Sequence, residues 1–539
     1  MDERYIVHGP PPQSIVSKVS LGVQAFKALQ KHEISNVFID AFTKRTITNK
    51  ELFETTIKLA RSMQNFGLKQ NDVIGIFSEN SVMFFHPVLA SLYLGVVVTM
   101  FNPQYTVGEF KHVSNISKPK IIFCSKLHQN TLAETIKETK LNSRIIVLDT
   151  EEIEDETYDS LSGFISKNLD ESFEIYKFKP INVDTNKQVA FIVYSSGTTG
   201  LPKGVLLTHS NFNTVFALPK KVQPIVNEHI IGLLPFYHNY GFIIIFSKIL
   251  TNQTTVVFKK FHPEAYLNAI QEYKIKYLHI IPVIAHFLAT SKLVDKYDLS
   301  CVNKILSGGA PLSPEVQNLL SKRQVRQTFV DRQAYGLTET TISIICPQDS
   351  RTKFGSVGKV RSYVSVKIVD RSTGRTLGPM QKGELCCRGP QIMKGYMNDV
   401  VSTNNAFDKH GWFRTGDVAY YDHDGYFYIV DRIKELIKYK GFQVPPAELE
   451  AVLLKHPKIA DAAVIGIPEE IVGEIPLAFV VKIGDVSEIE IQDFVAKELS
   501  PEKHLRGGVR FVENIPRNLS GKILKRVLRN SLNQNKSKL

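Results

Sequence analysis

Short, almost wholly apolar runs punctuate the first four hundred or so residues: Val73-Ile74-Gly75-Ile76-Phe77, Lys120–Cys124, Arg144–Leu148 and Val189–Tyr194. Runs of this length bounded by turn-forming residues are the pattern of strands buried on both faces. Amphipathic stretches lie between them. Asn49–Phe66 repeats its apolar positions at a spacing near 3.6, which predicts a helix with Asn49 as its N-cap. Strands alternating with helices predict largely parallel sheets covered by helices.

The texture changes near Val360. Val364–Val369, Gly383–Arg388 and Gly425–Val430 read as strands separated by Gly, Asp and Pro turns, a β-rich subdomain over about residues 360–430. From Ile433 onward the pattern is compact α+β. It comprises a helix from Pro446 to His456, strands Ala462–Ile467 and Leu477–Ile483, a helix from Ser487 to Leu499, a strand Gly508–Val512 and a last helix after Gly521. The predicted fold class is α/β: a large N-terminal domain over residues 1–430, a boundary at Asp431–Arg432, and a small C-terminal domain over 433–539.

Two longer apolar stretches test for a membrane span. His86-Pro87 and Gly95 interrupt Val82–Phe101, so it reads as a buried core helix; His229–Leu250 carries His229, His238 and Asn239, which lipid would penalise. No transmembrane segment is expected.

Composition narrows the class further. A chain of 539 residues with 43% hydrophobic and 22% charged residues is that of an ordinary globular protein of several domains. The net charge of +13 is spread along the chain with no nucleic-acid reader motif; a cleft that attracts polyphosphate and a solvated basic surface account for it equally, so charge alone decides little. Five cysteines, including the adjacent pair Cys386–Cys387, make a poor disulfide framework and fit a reducing compartment. The N-terminal MDERYIVHGPPPQ lacks the basic and apolar regions of a signal peptide. Ser537-Lys538-Leu539 matches the address read by the peroxisomal import receptor, so delivery to peroxisomes is expected.

The strand Val189–Tyr194 runs directly into Ser195-Ser196-Gly197-Thr198-Thr199-Gly200-Leu201-Pro202-Lys203-Gly204. Glycines let backbone approach closely, hydroxyls and N–H groups donate to anionic oxygens, and Lys203 adds a cation, so this is a phosphate-handling loop. It is not the GxxxxGK[ST] pattern. The stretch YSSGTTGLPKG resembles the signature of the adenylate-forming superfamily, which includes acyl-CoA synthetases, plant aryl-CoA ligases and beetle luciferases. Further blocks follow in the superfamily's order: Ser307–Leu312, Gln333–Glu339, Gly383–Leu385, Gly411-Trp412, Arg414–Asp417, Asp431-Arg432, Lys438–Gly441 and Ser520–Lys522. They span roughly residues 40–525, and the general likeness is greatest to the luciferases and luciferase-like acyl-CoA synthetases.

The resemblance implies ATP, CoA and Mg²⁺, and two half-reactions: adenylation of a carboxylic acid, then transfer of the acyl group to a thiol. It implies that Ser195, Ser196, Gly197, Thr198, Thr199 and Lys203 surround the ATP phosphates, with Gln333, Ala334, Tyr335, Gly336 and Leu337 lining the adenine pocket. Tyr335 would stack on the base and Thr338 touch the α-phosphate. Glu339 would hold Mg²⁺, Asp417 would accept the ribose hydroxyls, and Arg432 and Lys434 would add cations beside the nucleotide. Lys522 would bridge the acid's carboxylate and the α-phosphate. Lys438, Lys440 and Gly441 would serve the thiol step, reached by rotation of a mobile C-terminal domain about a hinge at 431–432.

His238, in PFYHNYGF, resembles the superfamily's pocket histidine, and Tyr240, Gly308, Gly309, Ala310 and Ile342 would line the acid pocket. Val215 stands where luciferases carry an arginine, and Ile342 where they carry a serine. Both changes remove polar partners for a heteroaromatic luciferin and leave an apolar wall. The expected acid is therefore a medium- or long-chain fatty acid, with luciferase activity, an aryl-propenoate ligase and an inactive nucleotide-binding sensor as alternatives.

Overall fold

The structure is a computed structural model that describes residues 3–31, 35–139, 141–150, 158–195, 202–218, 228–309, 312, 314–323, 332–347, 353, 355–440, 442–518 and 521–536. Ser196, Gly197, Thr198, Thr199, Ala310, Gly441 and Ser537-Lys538-Leu539 lie outside the described residues.

The apolar runs pair as their composition requires. An eight-stranded sheet has the spatial order Gly395–Tyr396, Lys203–Thr208, Val189–Ser195, Val97–Met100, Val73–Phe77, Ile121–Cys124, Arg144–Val147, Tyr158–Ser160. From Val189–Ser195 to Tyr158–Ser160 every pairing is parallel. Lys203–Thr208 turns back antiparallel on Val189–Ser195, so the phosphate loop is the connection of a hairpin. A four-stranded sheet holds His229–Gly232, Thr254–Val257, Asn36–Asp40 and Thr46–Thr48. The helices Asn49–Asn65, Phe85–Tyr93 and Asn239–Leu250 contribute to the large apolar cluster between these sheets. A three-stranded parallel sheet, Tyr277–Ile280, Lys304–Ser307 and Arg332–Gln333, covers a second cluster.

The β-rich region is an antiparallel sheet of Val7–His8, Ser365–Val369, Gly383–Arg388, Phe413–Tyr421 and Phe427–Arg432, with Thr376–Leu377 at its side. Arg432 ends its last strand, and the next strand, Ile437–Tyr439, already belongs to another sheet. That five-stranded sheet also holds Phe442–Val444, Gly473–Lys482, Ile459–Glu469 and Val509–Phe511, backed by helices Pro446–Leu453 and Glu488–Glu498 around their own core. Together these make the α/β architecture of a large N-terminal body with a small C-terminal domain.

Three local expectations are corrected. Thr48, not Asn49, caps the helix Asn49–Asn65: its hydroxyl accepts the Glu51 N–H at 3.1 Å while Asn49 is already helical. Val82–Phe101 is not one core helix but the helix Phe85–Tyr93 and the strand Val97–Met100, because Gly95 turns the chain at φ +66°. His229–Leu250 likewise divides into a strand and the helix Asn239–Leu250. No helix among the described residues is long and apolar enough to cross a membrane.

Candidate active site

The cleft is assembled from strand ends. Ser195 is the last residue of its strand, and its hydroxyl donates to Glu339 Oε1 at 2.8 Å. Tyr396 Oη donates to the same oxygen at 3.1 Å. Glu339 sits in the single turn Thr338–Thr340, almost fully buried, with its carbonyl held by the Met393 N–H. Lys203 opens the returning strand of the hairpin. Its ammonium donates to Ser402 Oγ at 2.6 Å, lies 3.9 Å from Asp399 and sits 5.1 Å from the Tyr396 ring centre. Tyr396, Asp399 and Ser402 were not anticipated as site residues; they lie some two hundred residues from Lys203, and no local pattern joins the two segments.

Tyr335 and Asp417 form the second half of the floor. The register of the β-rich sheet sets Asp417 opposite Arg432, whose Nε lies 3.5 Å from Asp417 Oδ1. The Tyr335 hydroxyl donates to Asp417 Oδ2 at 2.6 Å. Burial pushes the Asp417 carboxyl above its ordinary range, with Arg432 the main opposing charge; burial and then Asp417 hold the Tyr335 phenol protonated.

The C-terminal domain reaches this floor. Asn518 and Lys522 close a turn: the Lys522 N–H donates to Asn518 Oδ1 at 2.8 Å, and the Asn518 N–H to the Lys522 carbonyl at 3.0 Å. Within it Gly521 has φ +81°, and a β-carbon there would lie 3.4 Å from Ile281 of the large domain. Lys522 is partly buried in the cleft. Burial first, then Arg432, pushes its ammonium down to about 8, against the attraction of Glu435, Asp417 and Glu339. Lys434, Lys438 and Lys440 are not brought to this floor and stand exposed at the surface. The described arrangement therefore brings Lys522, not the Lys438 segment, to the cleft beside Asp417 and Glu339.

The expected acid-pocket residues gather around the helix Asn239–Leu250. His238 caps it by accepting the Tyr240 N–H on Nδ1 at 3.3 Å. Burial, and secondly Lys522, push this imidazole down to about 4. It is neutral at pH 7 with its proton on Nε2, free to donate. Asn239 Nδ2 donates to the Thr338 carbonyl at 3.3 Å. The Tyr240 hydroxyl donates to the Leu306 carbonyl at 3.0 Å, and its ring packs close to Gly308, where a β-carbon would lie 3.1 Å from it and need the ring to shift by a few tenths of an ångström. Ile342 and Val215 both pack against the large apolar cluster.

Ile342 is held by a strained turn. Thr341 has φ +63° and ψ −53°, and the Ile342 N–H donates to the Thr340 carbonyl at 2.7 Å, closing a γ-turn of the rarer hand. The Thr341 hydroxyl donates to the Gln391 carbonyl at 2.6 Å, and Gln391 Nε2 donates to the Thr340 and Ser343 carbonyls at 3.0 and 3.2 Å. Buried bonds on both sides hold a β-branched residue where it would not otherwise rest.

Residues 26–397 match the family model of the AMP-binding enzyme, and residues 448–522 that of the AMP-binding enzyme C-terminal domain. The chain is 41% identical to a luciferin 4-monooxygenase of Photuris pensylvanica, covering all of both chains. It is 37% identical to the peroxisomal OPC-8:0-CoA ligase 1 of Arabidopsis thaliana, over 94% of this chain and 93% of that protein. Among solved structures, ATP-bound MatB from Rhodopseudomonas palustris superposes with a TM-score of 0.84 at 25% identity, over 95% of this chain and 98% of that one.

Proposed function

We propose, from the premise that this chain belongs to the family of AMP-binding enzymes, that it joins a medium- or long-chain fatty acid to CoA. Membership makes the protein an adenylate-forming enzyme and an AMP-forming acid–thiol ligase. The acid's carboxylate attacks the α-phosphorus of ATP and expels pyrophosphate; the CoA thiolate then attacks the acyl carbonyl and expels AMP. Neither step needs a protein nucleophile, only charge stabilised at moving oxygens.

The residue roles are those the resemblance implies, and the contacts of the described residues support them. Lys522, buried and facing His238, Asp417 and Glu339, orients the carboxylate toward the α-phosphate. His238, neutral, donates from Nε2 to that carboxylate. Thr338 contacts the α-phosphate, while Thr198, Thr199 and Lys203 hold the outer phosphates. Asp417 accepts the ribose hydroxyls, with Tyr335 beside the adenine. Glu339 fits Mg²⁺, because a lone buried carboxylate flanked by hydroxyls suits a hard cation that takes its other oxygens from phosphates; bound there, the ion would neutralise phosphate charge. In the thiol step Lys438, Lys440 and Gly441 replace Lys522, which requires the C-terminal domain to turn about residues 431–432.

The observation that carries the fatty-acid reading is the apolar wall. Val215 and Ile342, both packed against the large apolar cluster, stand where an arginine and a serine, respectively, would hold a polar ring system. The second reading is a luciferase, favoured by the 41% identity to luciferin 4-monooxygenase over the whole chain. A panel of saturated acids with ATP and CoA, run beside luciferin and ATP in a luminometer, separates them. Acyl-CoA formation with little light supports the ligase; bright light with no acyl-CoA product would reverse the assignment. The Ser537-Lys538-Leu539 tripeptide and the peroxisomal name of the Arabidopsis relative support delivery to peroxisomes, which a fluorescent fusion with and without Leu539 tests.

A further inference from the structure

Lys203 and Glu339 carry opposite charges in one cleft, yet Lys203 approaches the carboxylate of Asp399, at 3.9 Å, and Glu339 takes its hydrogen bonds from two hydroxyls. One side chain touches both. The Tyr396 hydroxyl donates to Glu339 Oε1 at 3.1 Å, and the centre of its ring lies 5.1 Å from the Lys203 ammonium.

Strand pairing puts the ring there. Tyr396 stands opposite Val205 in an antiparallel register, so its side chain shares a face with Val205 and, two residues away, with Lys203. Flanking bonds pin the segment: the Met397 N–H donates to the Gly204 carbonyl at 2.8 Å and the Lys394 N–H to the Leu206 carbonyl at 2.9 Å. From the other side Thr403 Oγ1 accepts the Tyr396 N–H at 2.9 Å. Gly395 permits that approach, since a β-carbon there would lie 2.8 Å from the Thr403 methyl group. The backbone of Tyr396 is thus held on both sides.

The hydroxyl and the ring act on different partners. Each oxygen of an ionised carboxylate has about two lone pairs to offer. Ser195 and Tyr396 both donate to Oε1, at 2.8 and 3.1 Å, so that oxygen is filled and the next partner of Glu339 falls to Oε2. Burial, and then Glu339, hold the Tyr396 phenol protonated, which keeps it a donor. The ring face attracts an ammonium at this range. With the Ser402 hydroxyl at 2.6 Å and the Asp399 carboxylate, it gives Lys203 partners other than Glu339. Ser402 is itself set in place by Asp399, which accepts its N–H at 2.8 Å. A direct pair between Lys203 and Glu339 would occupy both the cation needed for phosphate and the carboxylate needed for a metal ion.

We propose that Tyr396 is a positioning residue for adenylation: its hydroxyl fixes Glu339 with Oε2 left for a divalent cation, and its ring keeps Lys203 from pairing with Glu339. This rests on the phosphate role of Lys203 and the Mg²⁺ role of Glu339 set out above.

Binding measurements on the full chain let the two fail separately. Mn²⁺ affinity is read by electron paramagnetic resonance in the presence of an ATP analogue with a methylene bridge between the α- and β-phosphorus, which cannot release pyrophosphate. Affinity for the same analogue is read by calorimetry at saturating Mg²⁺. Tyr396→Phe loses the bond to Glu339 but keeps the ring, so Mn²⁺ affinity should fall about tenfold while analogue affinity falls much less. Tyr396→Leu loses both contacts, so analogue affinity should fall as well, by about fivefold, and that second loss should vanish beside Lys203→Met. As controls, Glu339→Gln should weaken Mn²⁺ binding and Lys203→Met analogue binding. Wild-type Mn²⁺ affinity in Tyr396→Phe, with Glu339→Gln impaired, overturns the positioning role alone. So does a loss in Tyr396→Leu that is undiminished beside Lys203→Met. Wild-type binding in both Glu339→Gln and Lys203→Met overturns the roles of those two residues, and the inference with them.

Discussion

The Tyr335 hydroxyl donates to Oδ2 of Asp417 across 2.6 Å, and both side chains are buried. The bond leaves Asp417 Oδ1 turned toward Arg432 and fixes how its carboxylate faces the nucleotide pocket. Tyr335→Phe keeps the ring but unpairs a buried carboxylate. A hydrogen bond to a charged group is worth about 1.5–3 kcal/mol, so kcat/KM for ATP should fall roughly tenfold to a hundredfold. Most of the loss should appear in KM, and Asp417→Ala should lose more. An unchanged KM for ATP in Tyr335→Phe would rule out this positioning role.

Lys522 lies in the cleft while Lys438 stands exposed, so the two lysines should separate the half-reactions. Lys522→Ala should abolish adenylation yet still form thioester from supplied acyl-AMP, and Lys438→Ala should do the reverse. Assays of each half-reaction measure this directly. If both variants fail equally in both, rotation of the C-terminal domain between two working positions is wrong.

The charge on Lys522 sets a pH dependence. Its ammonium, pushed down to about 8 by burial and Arg432, is charged below that value and loses its proton as pH rises through it. Adenylation should therefore decline above about pH 8, while thioester formation from acyl-AMP shows no such limb. His238, already neutral above about 4, should contribute no limb near its ordinary value. Lys522→Arg, permanently charged, should flatten the alkaline decline even if the rate is lower. An alkaline limb persisting unchanged in that variant would place the titration on another group.

Gln391 is fully buried and holds both sides of the Thr341 turn. Gln391→Ala removes two buried hydrogen bonds and leaves the Thr340 carbonyl to the Ile342 N–H and the Ser343 carbonyl to Arg361, which should cost about 1–3 kcal/mol of stability and lower the thermal midpoint. It should also raise KM for the acid, because Ile342 is released from its place on the pocket wall. Thr341→Gly removes one bond but also relieves the positive φ, so its loss should be smaller. A Gln391→Ala protein with wild-type melting and wild-type acid KM would show that the turn holds without the clamp.

Much of this protein was legible along the chain. The apolar runs at 73–77, 121–124, 144–147 and 189–195 are strands because a five-residue run buried on both faces has no polar side to show, and that is a local property. The hairpin that returns Lys203–Thr208 onto Val189–Ser195 was not legible in the same way, because the chain reversal lies in a Gly- and Thr-rich stretch with no apolar pattern. Where two local signals competed, the chain was ambiguous. Asn49 and Thr48 are both capping residues, and only the path of the preceding strand Thr46–Thr48 decided for threonine.

The sequence by itself determined the parallel α/β body, the change to an antiparallel sheet near residue 360 and the small α+β unit beyond 432. Only the tertiary structure decided which of the motif residues meet. Tyr396 and Ser195 share Glu339, Tyr335 turns its hydroxyl to Asp417, and Lys522 rather than Lys438 occupies the cleft. The physical reason is one of range. Periodicity and turn chemistry act over a few residues, whereas burial, charge and hydrogen-bond geometry at this site join segments up to roughly three hundred residues apart, and their register is set by sheet pairing and domain packing.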